Sequence, residues 1–504
     1  MSGASTLVSR ADLHLAADPT RVLARLFIPG QELHNGRPSR MSDVVGRVLE
    51  LTDELVAETL KSVLARFAGR HKDLRAVLQT HFERVAHRVE DESILSTKRR
   101  LLIGAYFTKE YSVEAAALFN PSMVAHPDQS NLKAGMVRFV MSLRAVGEGH
   151  ISSLEFRTGV VGPGNTIQVD APGPFLESGT HSPAQHHREV LLGKLNDASG
   201  DEECCSFLRR QLPAHFDDQT LENALSALIS HPVTRTRGLR SAELARQIAV
   251  GNYVVEFDAN TALPERILWP YSPAESQGIE DARFVRFVDD DESITYLATY
   301  TAFDGDGVAP QLIRTTDFRT FEIGQLAGEA AQDKGMALFP RKVRGQYVAL
   351  SRSDRESSGL ATSTDGLVWS SPTPLQSPRR PWEVIQLGNA GSPIETEEGW
   401  LVITHGVGPM REYSLGAILL DIDDPSRVIG ALREPLLRPE PDERDGYVPN
   451  VVYSCGAMAL PGQLVLPYGI SDSVVRFAFV DMPRLLKRLL SDGPPPSVHR
   501  GATP

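Results

Sequence analysis

Apolar residues along the chain switch twice between a helical period and a period of two. From residue 41 to about 104, Leu49, Val56, Leu60, Val63 and Leu64 fall on one helical face, with Asp53 and Glu54 near the start and Gly69 near the end. Leu74, Val77, Leu78, Phe82 and Val85 form a second run, and about Ser96 to Ala105 a third. This pattern predicts an N-terminal helical unit over residues 1–114. At Phe119-Asn-Pro-Ser122 the period changes. Val137-Arg-Phe-Val-Met-Ser-Leu-Arg144 alternates as a strand, Gly147-Glu-Gly-His150 turns, and Ile151-Ser-Ser-Leu-Glu-Phe-Arg157 predicts a second strand. The helical period returns between about 183 and 250, on Val190, Leu191, Leu195, Leu221, Leu225, Leu228, Leu244 and Ile248. From Tyr253 onward short strands alternate with Gly, Pro and Asp turns. A helical piece from Met482 to Leu490 and a Pro-rich tail, expected to be disordered, close the chain.

The strand pattern repeats. Similar segments begin at Arg138, Tyr296, Tyr347, Trp400 and Leu464, and the last four are 51, 53 and 64 residues apart. Thr316-Asp-Phe-Arg-Thr-Phe321 is echoed by Thr364-Asp-Gly-Leu-Val-Trp369 at an offset of 48. Periods near 40–50 with several short strands each are the mark of a β-propeller, and five such strands imply five blades. A β-sandwich beside a helical domain does not explain the spacing. The expectation is a mainly β chain: a five-bladed β-propeller with a first blade at 115–182, a helical insertion at 183–250, the remaining blades at 251–480 and a C-terminal helix and tail at 481–504. The gap of 158 residues between the first two repeats places the insertion after part of blade one.

Composition narrows the function. A net charge of −12 argues against a general nucleic-acid or anionic-membrane binder, which needs clustered Lys and Arg; a small phosphorylated ligand needs only a local cationic pocket. Cys204, Cys205 and Cys455 show no metal-like spacing, so no metal site is expected, and reduced thiols in the cytoplasm are. The first ten residues lack a signal-peptide apolar core, and no run of about 18 apolar residues predicts a membrane span. There is no phosphate-binding Gly-rich loop with Lys-Ser/Thr and no His-Glu-x-x-His. His186-His187 reads as a solvated face, and Trp369, Trp382 and Trp400 as core.

In a propeller, strand ends from different blades meet in one pocket. The polar residues on the repeated strands and adjoining turns are therefore candidates: Asn120, Arg144, Asp281, Arg283, Asp304, Arg352, His405, Asn450 and Asp472. Each alone reads as structural, since Asp in a turn usually caps its own backbone. Gly278-Ile-Glu-Asp-Ala-Arg283 places two adjacent carboxylates and an arginine before a strand. That arrangement suits a general acid at Asp281, protonating a leaving sugar oxygen. Adjacent residues on an extended segment face opposite ways, so one of Glu280 and Asp281 is expected to point away. Arg283 is expected to share the face of Asp281 and lower its pKa.

These segments, with Phe339-Pro340, His405-Gly406-Val407 and Val448-Pro-Asn-Val-Val-Tyr-Ser-Cys-Gly-Ala457, resemble glycoside hydrolase family 130, the inverting β-mannoside phosphorylases and their hydrolytic relatives. The resemblance covers about residues 115–480. It implies cleavage of a β-mannoside by inorganic phosphate to α-mannose 1-phosphate, with no cofactor. Asp281 matches the family's proton donor, and in the phosphorylases the proton passes through a sugar hydroxyl. Glu280, Arg283, Asn120, Arg144, Asp304, Asn450 and Asp472 are the expected sugar-binding residues. Arg314, Lys334, Arg341, Lys342, Arg352 and His405 are the cations considered for phosphate. The chain departs from the family motifs at Ala282, where Pro is usual, and at Gly335, where Asn is usual. A hydrolase on the same fold and a non-catalytic carbohydrate-binding propeller stay open. Glu148 and His150 either meet the acceptor sugar or cap their turn. The expected partners are oligosaccharide and phosphate, without nucleic acid or membrane. The two helical units are expected to pack on each other or on a second subunit, rimming the pocket.

Overall fold

The computed structural model describes residues 7–29, 40–89, 91–231 and 235–495. The expected disordered tail therefore lies largely outside the described residues.

The chain is mainly β, and five sheets of antiparallel strands dominate it, the first two joined into one by the parallel pairing of Ser152 with Gly278. The first contains Ala117–Ala125, Val137–Val146, Ser152–Gly162 and Thr166–Val169; the second Gly278–Val288, Ile294–Phe303, Val308–Thr315 and Thr320–Gln325. Ala337–Leu338, Tyr347–Ser351, Ser358–Ser363 and Thr373–Gln376 make the third. Gln386–Asn389, Gly399–Val407, Tyr413–Leu420 and Val428–Ala431 form the fourth, and Val452–Tyr453, Gln463–Ile470 and Val474–Asp481 lie in the fifth. The repeated strands are thus the second of each sheet. The strand before each of them leads to one cavity of about 540 Å³, lined by Met123, Phe284, Pro340, Ile394 and Met458 from all five sheets.

Each pair of neighbouring sheets is glued by its own apolar cluster. Phe156 and Phe284 join the first and second, Leu297 and Leu338 the second and third, and Val348 and Val402 the third and fourth. Leu401 and Leu466 join the fourth to the fifth, and Met141 and Phe477 the fifth back to the first. Trp369 and Trp400 are buried in these clusters.

Two expectations need correction. The stretch 1–114 is not uniformly helical. Val8–Ala16 pairs antiparallel with Val474–Asp481 and completes the fifth sheet, so the two ends of the chain share one sheet. Its alternating Ala11, Leu13 and Leu15 pack on the first–fifth cluster, a period of two that the helical reading passed over. Val22–Leu26 and Thr108–Ser112 pair with each other and bracket the helices. The run from 41 to about 104 divides into Met41–Leu49, Asp53–Phe67, Leu74–Val85 and Thr97–Tyr106, because Thr52, Asp73 and Ser96 each cap a new helix by accepting a backbone N–H. A quartet of buried charges ties this unit to the first sheet. Arg21 reaches Glu114 and Glu155 at 2.7 Å each, and Arg157 reaches them at 2.7 and 3.1 Å.

The insertion contains Arg188–Ser199, Glu202–Gln211, Asp218–Ser230 and Arg235–Ala249 around a core of its own. It leaves and re-enters through Thr180–Pro183 and Tyr253–Glu256, which pair with each other on the outer edge of the second sheet. No helix among the described residues is long and apolar enough to cross a membrane.

Candidate active site

Two β-bulges build the centre of the site. The register between the first two strands of the first sheet slips between Phe119 and Ser122, and that of the second sheet between Glu280 and Arg283. Asn120 and Asp281 occupy these bulges at φ of 49° and 54°, the left-handed region that non-glycine residues adopt only where the surroundings impose it. The bulges turn the two side chains toward each other, and Asn120 Nδ2 donates to Asp281 Oδ1 at 2.6 Å. Ser122 Oγ accepts from the backbone N–H of Phe284 at 3.0 Å, joining the two bulged strands.

The bulge also overturns the expected opposition of Glu280 and Asp281. An extra residue breaks the alternation, so both carboxylates face the same cation. Arg144 Nη2 lies 2.5 Å from Glu280 Oε1, and its Nη1 lies 3.4 Å from Asp281 Oδ1. Ser152 Oγ holds Arg144 Nε at 2.9 Å. Lys334 Nζ takes the other Glu280 oxygen at 2.7 Å. Arg283 donates to the Asp281 carbonyl at 3.0 Å and to the Tyr453 hydroxyl at 2.9 Å.

A second cationic group adjoins this centre. Arg352 Nη1 lies 3.3 Å from His405 Nε2, and Gln386 Nε2 lies 3.5 Å from the same atom. Gly388 permits this packing, since a Cβ there would stand 2.7 Å from His405 Cε1. Burial, with the charges of Arg352 and Arg283, pushes His405 well below its ordinary pKa, so it is neutral and accepts. The Nε atoms of Arg283 and Arg352 are buried without a hydrogen-bond partner among the described residues. Two buried donors without a partner in one cationic cluster suit an anionic or oxygen-rich ligand.

The electrostatics separate the carboxylates. Burial pushes Asp281 up, but Arg144, Arg283 and Lys334 outweigh it and hold the group down at about 2. Asp472, at φ 48°, is pushed up to about 6 by burial and by the charge of Asp281. A general acid must carry its proton, and Arg144, Arg283 and Lys334 favour the ionised form of Asp281 instead.

Not every expected residue joins the cluster. Asp304 accepts from the backbone N–H groups of Asp306 and Gly307 at 2.9 and 2.6 Å and caps its own exposed turn. Asn450 stands nearer, since its carbonyl accepts at 3.0 Å from the backbone N–H of Tyr413, whose ring stacks on His405. Arg314 is exposed beside the insertion, in a cleft with His187. Arg341 pairs with Glu395 at 2.6 Å and lines the cavity with Met123. Lys342 pairs with Asp289 and Asp290. The reason is strand direction. Lys334 precedes the strand Ala337–Leu338, whereas Arg341 and Lys342 follow it and so lie at its other end. Residues outside the expected set complete the site: Ser152, Gln386 and Tyr453, whose hydroxyl burial pushes up to about 12. Among the described residues no group of three His, Cys, Asp or Glu side chains is placed to hold a metal ion.

A model of glycoside hydrolase family 130, described as beta-1,4-mannooligosaccharide phosphorylase, matches residues 251–490. The chain is 34% identical over 212 residues to the 1,2-beta-oligomannan phosphorylase of Thermoanaerobacter sp. (strain X514), covering 41% of this chain and 70% of that protein. It is 33% identical over 230 residues to the beta-1,2-mannobiose phosphorylase of Listeria innocua, covering 44% of this chain and 63% of that protein. The solved complex of the Listeria innocua enzyme with beta-1,2-mannobiose aligns with a TM-score of 0.45 and 22% identity, over 75% of this chain and 93% of that one.

Proposed function

The chain belongs to glycoside hydrolase family 130, and from that premise we propose that it is an inverting glycoside phosphorylase on a five-bladed β-propeller, cleaving a β-mannoside with inorganic phosphate to give α-mannose 1-phosphate. The ring of five inter-sheet clusters supports the propeller reading. The observation that carries the chemistry is the excess of buried cation beside Asp281. Arg283 and Arg352 keep unmade donors there, next to Lys334 and the neutral His405. Phosphate fits them through charge-assisted, forked hydrogen bonds.

Attack follows from this placement. A phosphate oxygen forms the new bond to the anomeric carbon from the face opposite the leaving oxygen. The old C–O bond breaks, and its electron pair goes to that oxygen, which takes a proton originating at Asp281, relayed by a sugar hydroxyl. Configuration inverts from β to α, and no second catalytic carboxylate is needed. Phosphate also readies the acid. Its negative charge beside Arg283 and Lys334 offsets two of the three cations that keep Asp281 ionised, so the pKa of the carboxyl rises as phosphate binds and the group takes a proton from solvent more readily. Glu280 stays paired with Arg144 and Lys334 and positions both.

The test is turnover of β-linked mannobioses with and without phosphate, with the products identified by NMR. The reading expects α-mannose 1-phosphate and no cleavage without phosphate. Equal rates in its absence, with free mannose as product, would replace phosphorolysis by hydrolysis.

A further inference from the structure

The turn at Gly147–Ile151 leaves the first sheet three residues after Arg144 and is clamped from both sides. On one side it is tied to Thr108–Ser112, the last strand of the N-terminal unit. Lys109 Nζ lies 3.3 Å from a Glu148 carboxylate oxygen, Ser112 N donates to the other at 3.4 Å, and the Tyr111 hydroxyl donates to the Glu148 carbonyl at 2.6 Å. On the other side, the Tyr447 hydroxyl and His150 Nδ1 are 2.9 Å apart, with the rings 5.9 Å apart and tilted by 34°. His150 sits at φ 62°, in the left-handed region, which is uncommon for residues other than glycine.

The His150–Tyr447 pair spans the first and fifth sheets beside the reaction centre. Tyr447 N donates to Ser473 Oγ at 2.7 Å, next to Asp472, while Ser152, two residues past His150, holds Arg144. The charges of Arg144 and Asp472 both act on Asp281 or respond to it. Unlike the buried cluster, this pair faces outward: Tyr447 is 51% exposed. The exposed ring of Tyr447 therefore offers a surface beside the buried cluster on which a second sugar ring can rest.

We propose that Tyr447, held by His150, is the wall on which the leaving-side (acceptor) sugar packs, and that the N-terminal unit sets acceptor preference through Glu148. The proposal rests on the glycoside-cleaving reading above. A tyrosine ring offers an apolar face to the C–H face of a sugar and a polar edge to its hydroxyls. The bond to His150 fixes the ring before the sugar arrives, which reduces the ordering lost on binding. Glu148 is a positioning residue; its carboxylate touches Lys109 and Ser112 of the N-terminal unit and not the sugar.

Calorimetric binding of mannose and of a panel of β-linked mannobioses tests this without turnover. Wild type is expected to bind at least one disaccharide more tightly than mannose. Tyr447→Ala is expected to lower that margin by about three- to tenfold while mannose affinity holds. Tyr447→Phe keeps the ring and is expected to keep most of the margin. In the synthetic direction, Tyr447→Ala raises the KM for acceptor and spares the KM for α-mannose 1-phosphate, and Glu148→Ala reorders the acceptors. An unchanged margin in Tyr447→Ala, a wild type that binds disaccharide no better than mannose, or a parallel loss for both ligands would overturn the proposal. Failure of the phosphorylase reading is a separate result: cleavage independent of phosphate, with the binding margin still carried by Tyr447.

Discussion

In the proposed mechanism Asp281 is the general acid, and its cationic neighbours hold it ionised until phosphate offsets them. Asp281→Asn keeps the Asn120 and Arg144 neighbourhood but removes the proton, and turnover should fall about 10²–10⁴-fold with little change in the circular dichroism spectrum. A variant turning over at the wild-type rate moves the acid elsewhere, first to Glu280. Asp472 carries the opposite signature. Its carboxyl is raised to about 6 from an ordinary value of 3.8, so the folded state prefers it protonated. Its favourable contribution is complete below about pH 4 and is lost as pH rises through about 6. Asp472→Asn should therefore raise the melting temperature at pH 8 and leave it nearly unchanged at pH 4, with a gain on the order of 2 kcal/mol at the higher pH. Equal shifts at both pH values would mean that the ionised form is not strained.

Among the elements, the Arg21 segment shows how an outlying piece is bound to the sheets. Arg21, Arg157, Glu114 and Glu155 balance as two cations and two carboxylates, all nearly excluded from water. Arg21→Ala leaves two carboxylates on one arginine, and such losses cost about 3–5 kcal/mol. Burial and the charge of Glu155 push Glu114 up to about 7, so protonation of Glu114 relieves the defect. The urea midpoint of Arg21→Ala should then lie furthest below wild type at pH 8 and approach it toward pH 5. A loss independent of pH would assign the effect to the Gly173 and Pro264 carbonyls that Arg21 also serves.

For the molecule as a whole, the two helical additions are not equivalent. The N-terminal unit meets the turn beside Arg144, whereas the insertion is rooted on the outer edge of the second sheet. Pro183 and Tyr253 are direct partners across that edge, so replacing residues 184–252 by Asn-Gly joins two strands already in hairpin register. The shortened chain should fold, melt roughly a few degrees lower and keep both phosphate dependence and acceptor ranking. A changed ranking would show that the insertion reaches the pocket.

Periodicity in the chain was enough to locate the repeated strands, the helical stretches and the segment around Asp281, because a period of two or 3.6 is local and burial enforces it. Arg144, Arg283, Arg352 and His405 were legible for the same reason, since they flank repeated strands or turns; Glu280 was legible from its place beside Asp281, and Lys334 from the resemblance of its segment to a family motif. Three things were not. The bulges at Asn120 and Asp281 arise from pairing between strands, and they alone make Glu280 and Asp281 face one arginine. The return of Val8–Ala16 to Val474–Asp481 joins the two ends of the chain, and no short window of residues carries that information. Arg314 and Arg341 have the same chemistry as Arg352, but their positions along their strands put them elsewhere. Residue type states what a side chain can do; only the register and direction of the strands decide which side chains meet, since a slip of one residue turns a side chain to the other face.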